Sequence, residues 1–266
     1  MSWFSDIVGG RRTLLEWVRY CGTLGIDGVD FSVLLLPANG TWDLRELRAE
    51  IDRANLQVAM LVCYSDFTIP DEHQRLCQIE DARANIRLAH SLGATILRVT
   101  AGQRYPGVTR KRGIAWVQEG LHLILPDADR LGITLAFENH TKGAPWRYWD
   151  FSQPSEIFLE ILDGMRDTSL GVNFDTANPL VANEDPVSLL EAVKDRVVSV
   201  HAADIRAPGA LEPVVVGTGV APIRPCFSIL KDRGFDGWIC IEEASRTGQS
   251  GYEQAVAFVR KTWAEA

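Results

Sequence analysis

The chain has 266 residues, a mass of 29.5 kDa and a formal net charge of −8, from 27 Lys plus Arg against 35 Asp plus Glu. With 46% hydrophobic and 23% charged residues it reads as an ordinary globular protein. The acidic balance disfavours binding to a nucleic-acid backbone or an anionic membrane, and no apolar run approaches the roughly 18 residues a membrane helix needs.

MSWFSDIVGG has no basic region followed by an apolar run, so no secretory signal is expected. The five cysteines (Cys21, Cys63, Cys77, Cys226 and Cys240) are scattered, odd in number and never spaced C-x-x-C. A disulfide framework is therefore not expected, and a reducing cytoplasm is the simplest location. No linker, charge block or low-complexity segment divides residues 1–266, which read as one domain.

In chain order, helical patterns alternate with short apolar runs. Thr13–Leu24 reads as a helix, Gly28–Phe31 as a strand, Leu44–Ala54 as a helix and Gln57–Tyr64 as a strand. Glu72–Leu92 is followed by Thr95–Thr100, Lys111–Leu131 by Thr134–Glu138, and Pro154–Met165 by Leu170–Asp175. The last units are Pro186–Asp195 with Val197–His201, Pro222–Arg233 with Trp238–Glu242, and a closing helix Tyr252–Trp263. Runs such as VAMLV and TILRV suit parallel strands buried on both faces. Gly25, Gly93, Gly132 and Gly234 each follow a helical run, as a left-handed C-cap demands. The cassette of helix, Gly and short strand repeats in LGIDGVDF, LGATILRV, LGITLAFE and RGFDGWICIE.

Eight helices against seven strands leave one strand to be found before Thr13, and Met1–Ser5 is the only place for it. The fold expected is an α/β (β/α)₈ TIM barrel whose first strand is short or truncated. A doubly wound open sheet is the alternative, but no G-x-G-x-x-G follows the first strand.

In such a barrel, chemistry sits at the C-terminal ends of the strands. Glu138 ends TLAFE, Asp175 ends LGVNFD, His201 ends VVSVH and Glu242 ends WICIE, each about one β/α unit after the one before. Four successive strands would bring these side chains to one rim. Three carboxylates and an imidazole repel one another unless a cation is present. Oxygen-rich ligands with one nitrogen suit Mn²⁺, Mg²⁺, Co²⁺ or Zn²⁺.

The segments FENH, NFDTAN, VSVHAAD, VGTG and GFDGWICIEE, in that order, resemble the xylose isomerase-like TIM-barrel superfamily of sugar-phosphate isomerases and epimerases. The resemblance covers nearly the whole chain. It implies one divalent ion held by Glu138, Asp175, His201 and Glu242, with Glu138 and Glu242 also moving the substrate proton. The 3-epimerases carry a further glutamate shortly after the first, where this chain reads HTKGAPW, and a His where this chain has Asn178.

The expected activity is isomerisation or epimerisation of a sugar or keto-sugar, phosphorylated or not, by proton transfer through an enediolate. A dehydratase or lyase acting on an inosose or 3-keto-sugar is the first alternative, and a non-catalytic sugar-binding barrel the second. The small-molecule sugar is the expected partner. A homodimer or larger homo-oligomer is left open.

Further substrate-binding candidates surround the four. His140 and Lys142 follow Glu138, and Trp146, with Tyr148 and Trp149, forms an aromatic loop suited to stacking on sugar C–H faces. Asp204 and Arg206 follow His201; Asp204 is a candidate to orient its ring and Arg206 to clamp hydroxyls or phosphate. Asn178 is a candidate substrate contact or turn former. Arg98 is expected to pair with Glu138, and Glu243 to pair with a helix cation.

Overall fold

A computed structural model describes residues 3–36 and 44–266. Seven strands, β1 (Gly28–Ser32), β2 (Gln57–Val62), β3 (Ile96–Val99), β4 (Thr134–Glu138), β5 (Gly171–Asp175), β6 (Val197–Ala202) and β7 (Trp238–Ile241), pair in sequence order. Every pairing is parallel. Between them run α1 (Phe4–Val8), α2 (Leu14–Cys21), α3 (Leu44–Arg53), α4 (Glu72–Leu92) and α5 (Arg110–Leu131). The remaining helices are α6 (Ser155–Gly164), α7 (Asn178–Val181), α8 (Pro186–Val193), α9 (Ile223–Asp232) and α10 (Gln249–Glu265). This is a nearly closed TIM barrel.

Local chemistry sets the helix boundaries. Thr13 and Glu16 form a reciprocal capping box at α2, and Asp71, Thr109 and Asp185 cap α4, α5 and α8. Gly93 and Gly132 end α4 and α5 at φ of 73° and 68°, a region where a Cβ is penalised.

Alternation along each strand builds two cores. Leu97, Val99, Leu135, Phe137, Val172, Phe174 and Val200 face the helices. Met60, Ile96, Ala136 and Cys240 fill the barrel. The same alternation directs Arg98, Glu138, Asn173, Asp175, Ser199 and His201 inward, stacked above that small apolar plug.

The strand expected in Met1–Ser5 is not found. Met1 and Ser2 lie outside the described residues, Trp3 is in a turn, and Phe4 and Ser5 begin α1. The reason is spacing: Phe4 and Ile7 lie three apart and share the side of α1 that lines the barrel mouth. Among the described residues, β1 and β7 have no mutual pairing, and a cleft of about 520 Å³ lies between them, lined by Trp17, Gly28, Trp238 and Trp263.

Candidate functional site

Glu138 and Asp175 are the last residues of β4 and β5, His201 lies near the end of β6, and Glu242 directly follows β7. One ligand atom from each falls within 4.8 Å of all the others. Glu138, Asp175 and His201 are buried, whereas the Glu242 side chain is 31% exposed and faces the opening. The strand-end spacing in the sequence thus does bring these four together.

His201 sits in the middle of the acids. Its Nδ1 lies 2.7 Å from Glu138 Oε1 and 3.2 Å from Glu242 Oε2, while Nε2 lies 3.1 Å from Asp30 Oδ2. Burial disfavours an imidazolium here, but the Glu138 charge and the hydrogen bonds that the ring donates to Asp30, Glu138 and Glu242 outweigh it and raise the His201 pKa well above its usual value. Burial also disfavours ionising Glu138, yet Arg98 and His201 hold its carboxyl well below the usual range. Asp175 goes the other way, because burial and then the charges of Glu242 and Glu138 raise it. Glu242 lies below its usual value, since hydrogen bonding and charge from His201 overcome burial.

Neutral polar groups in the barrel hold the acids in place. Ser199 donates to Asn173 Oδ1 at 2.7 Å, and Asn173 Nδ2 donates to Glu138 Oε1 at 2.8 Å. Asn139 bridges β4 to β5, donating to the Asp175 carbonyl and accepting from the Asp175 N–H. Asp175 Oδ1 accepts from the N–H groups of Ala177 and Asn178.

Arg98 pairs with Glu138 as the sequence suggested: its Nε lies 3.1 Å from Oε2, both side chains being buried. The two atoms are close but not aligned as donor and acceptor, so neither makes a hydrogen bond. Glu138 Oε2 is therefore a buried carboxylate oxygen without a donor. The donor set as a whole, three carboxylates and an imidazole whose ligand atoms lie within 4.8 Å of one another, fits a divalent cation.

The other candidates divide into two groups. His140 and Trp146 are buried and pack with Tyr64 at centroid distances of 5.4 to 6.0 Å, and His140 Nδ1 lies 3.1 Å from Asp150 Oδ2. This aromatic group borders the cluster. The loop carrying Trp146 is pinned rather than free, since the N–H groups of Arg147 and Tyr148 both donate to Gln103 Oε1. Asn178 opens α7 and accepts from Thr141 Oγ1 at 3.1 Å.

Lys142 is exposed and lies over Trp149. Arg206 is 70% exposed and pairs with Glu212. Asp204 does not orient His201. Its two oxygens accept the N–H groups of Ile205, Gly217, Gly219 and Ala221, all at 2.8 to 3.0 Å. The chain turns after β6 and carries this carboxylate onto the VGTG segment. Gly217 there has a φ of 96°, which explains the glycine. Glu243 is fully buried and accepts the Ser245 N–H at 2.9 Å.

Sequence reasoning missed Asp30, Asn173, Ser199 and Tyr64. Inward alternation was the available signal for the first three. Beside the cluster is a cavity of about 70 Å³, with Trp3, Phe4, Phe31 and Tyr64 on its apolar side and Arg98, His201 and Glu242 on its charged side.

The chain is 30% identical to a putative hydroxypyruvate isomerase of Streptomyces coelicolor, with 75% of this chain and 74% of that one covered. It is 27% identical to an inosose dehydratase of Clostridium beijerinckii, covering 75% and 73%. Its fold matches a 3-keto-D-glucoside 4-epimerase from E. coli at a TM-score of 0.76 and 19% identity, covering 94% of this chain and 95% of that one. No helix among the described residues is long and apolar enough to cross a membrane. The model of the xylose isomerase-like TIM barrel family matches residues 18–262, and the chain belongs to that family.

Proposed function

We propose that this protein is a divalent-metal-dependent isomerase or epimerase acting on a small sugar or keto-sugar. The observation that carries the reading is the convergence of Glu138, Asp175, His201 and Glu242 within 4.8 Å at the barrel mouth. These four would hold one ion, Mn²⁺, Mg²⁺, Co²⁺ or Zn²⁺. When bound, such an ion supplies Lewis-acid polarisation of a carbonyl and its neighbouring hydroxyl.

The chain's own groups supply proton transfer and orientation. Glu138 or Glu242 takes the proton from the carbon beside the carbonyl, and the other returns it. Return to the neighbouring carbon isomerises, and return to the opposite face epimerises. Glu242, facing the opening, is placed to meet substrate first. Trp3, Phe4, Phe31 and Tyr64 offer apolar faces to sugar C–H groups and exclude water. Among the described residues lining that cavity, Arg98 is the only Lys or Arg, and Glu138 already matches its charge. The substrate proposed is therefore unphosphorylated.

Dehydration is the second reading. His140, held by Asp150 and packed against Tyr64 at the cavity wall, is the group that would serve a departing hydroxyl. The five cysteines are unpaired and four are buried, which supports a reducing, cytoplasmic location.

The test is a panel of hydroxy-carbonyl compounds, ketoses, inososes and 3-keto-glycosides, with and without phosphate, incubated with the Mn²⁺-loaded protein and followed by NMR. Carbonyl migration or inversion beside the carbonyl in an unphosphorylated member supports the main reading. Loss of water supports the second, and an unchanged panel overturns both.

A further inference from the structure

The four clustered side chains need a fixed geometry, and one of them is a ring with two nitrogens. His201 Nδ1 faces Glu138 and Glu242 at 2.7 and 3.2 Å. An imidazole can serve a cation at Nδ1 only if that nitrogen carries its lone pair, which puts the proton on Nε2. Something must then accept the Nε2 hydrogen inside the barrel.

Asp30 is that acceptor. It lies on β1, remote from β6 in the strand order, yet its Oδ2 is 3.1 Å from His201 Nε2. Val29 and Phe31 on either side of it belong to the core facing the helices, so strand alternation turns Asp30 inward. The register between β1 and β2 slips between Val29 and Asp30, an irregularity of the kind that re-aims a side chain next to a site. Its carboxylate borders the same cavity as Glu242.

We propose that Asp30 is a positioning residue: it holds His201 as the Nε2–H tautomer, with Nδ1 presented to a divalent cation. The inference rests on the metal-centre reading above. Asp30 itself stays outside the ligand set and acts through the ring. Loss of such a partner typically weakens metal affinity about 10- to 100-fold.

The experiment uses Mn²⁺ alone as the probe. Free Mn²⁺ is measured by electron paramagnetic resonance in titrations of the unmodified protein, Asp30→Ala and Asp30→Asn, each checked for folding by a thermal melt. Asp30→Ala is expected to weaken Mn²⁺ binding about 10- to 100-fold, and Asp30→Asn, which keeps an acceptor oxygen, to weaken it less. In the Zn²⁺-loaded unmodified protein, ¹⁵N-histidine NMR is expected to show a slowly exchanging Nε2–H on His201. That resonance is expected to exchange rapidly in Asp30→Ala. A merely structural role would lower the melting temperature without moving the tautomer signal. Equal Mn²⁺ affinity in all three proteins, or an Nδ1–H tautomer, overturns the role of Asp30 and leaves the metal centre standing. No Mn²⁺ binding by the unmodified protein overturns the metal centre, and this proposal with it.

Discussion

Asn173 Nδ2 donates to Glu138 Oε1 at 2.8 Å, so that of the two Glu138 oxygens only Oε2 lacks a hydrogen-bond donor. The amide fixes the rotation of the Glu138 carboxyl, with Oε1 toward His201 at 2.7 Å and Oε2 toward Arg98 at 3.1 Å, and the Ser199 hydroxyl at 2.7 Å fixes which end of the amide points at Glu138. Asn173→Ala removes this orientation and leaves the Ser199 hydroxyl only the Met60 sulfur at 3.7 Å. Mn²⁺ affinity should fall by about tenfold or more in a calorimetric titration while the protein remains folded. Unchanged affinity would show that Glu138 needs no orienting amide.

Arg98 offers a test of charge balance. It is the buried cation paired with Glu138, and removing one member of a buried pair costs about 3 to 5 kcal/mol. Arg98→Met should destabilise the metal-free protein by about that much in denaturant unfolding. Excess Mn²⁺ should recover part of the loss, because a bound cation would compensate the same carboxylate. A loss that Mn²⁺ leaves untouched would place the cation elsewhere.

The protonation pattern predicts linkage. Burial and the charges of Glu242 and Glu138 raise Asp175, and despite burial the Glu138 charge raises His201 well above its usual value. At about pH 6, below the ordinary histidine value, His201 is therefore charged in the metal-free protein. A ligand set must shed such protons, so metal binding should release at least one proton and weaken as pH falls. Calorimetry at one pH in two buffers of different protonation enthalpy checks this. Identical heats in both buffers would contradict it.

The relationship between His201 and Asp204 shows how legibility varied along the chain. Glu138, Asp175, His201 and Glu242 were legible because each closes an apolar strand run, and a period-2 pattern sends them to one rim. Asp30 was missed because it sits inside GVDFS, flanked by Val29 and Phe31, and its partner is 171 residues away. Asn173 and Ser199 are neutral and carry no charge signal. The expected contact from Asp204 to His201 is not formed, because the strand ends at Ala202 and the chain then turns, so proximity in sequence to His201 is no guide. The seven β/α units were legible from glycine C-caps and apolar runs. Helix α1 was not, because five residues followed by Gly9–Gly10 carry too little periodicity to separate helix from strand.

Asp204→Ala tests that correction directly. It leaves four backbone N–H groups without their acceptor, a loss on the order of 3 kcal/mol for a buried charged partner. The variant should melt earlier yet bind Mn²⁺ with the unmodified affinity. Weakened Mn²⁺ binding without a stability change would restore Asp204 to the site.

Glu138 and Glu242 are assigned the transfer of a substrate proton beside a cation held at this cluster. Solvent-deuterium incorporation into the ketose, inosose and 3-keto-glycoside panel measures it most directly. Mn²⁺-dependent deuterium uptake is expected at the carbon next to a carbonyl in at least one substrate, lost in both Glu138→Gln and Glu242→Gln. Mn²⁺-loaded protein that exchanges no substrate proton, or Gln variants that exchange at the unmodified rate, would contradict it.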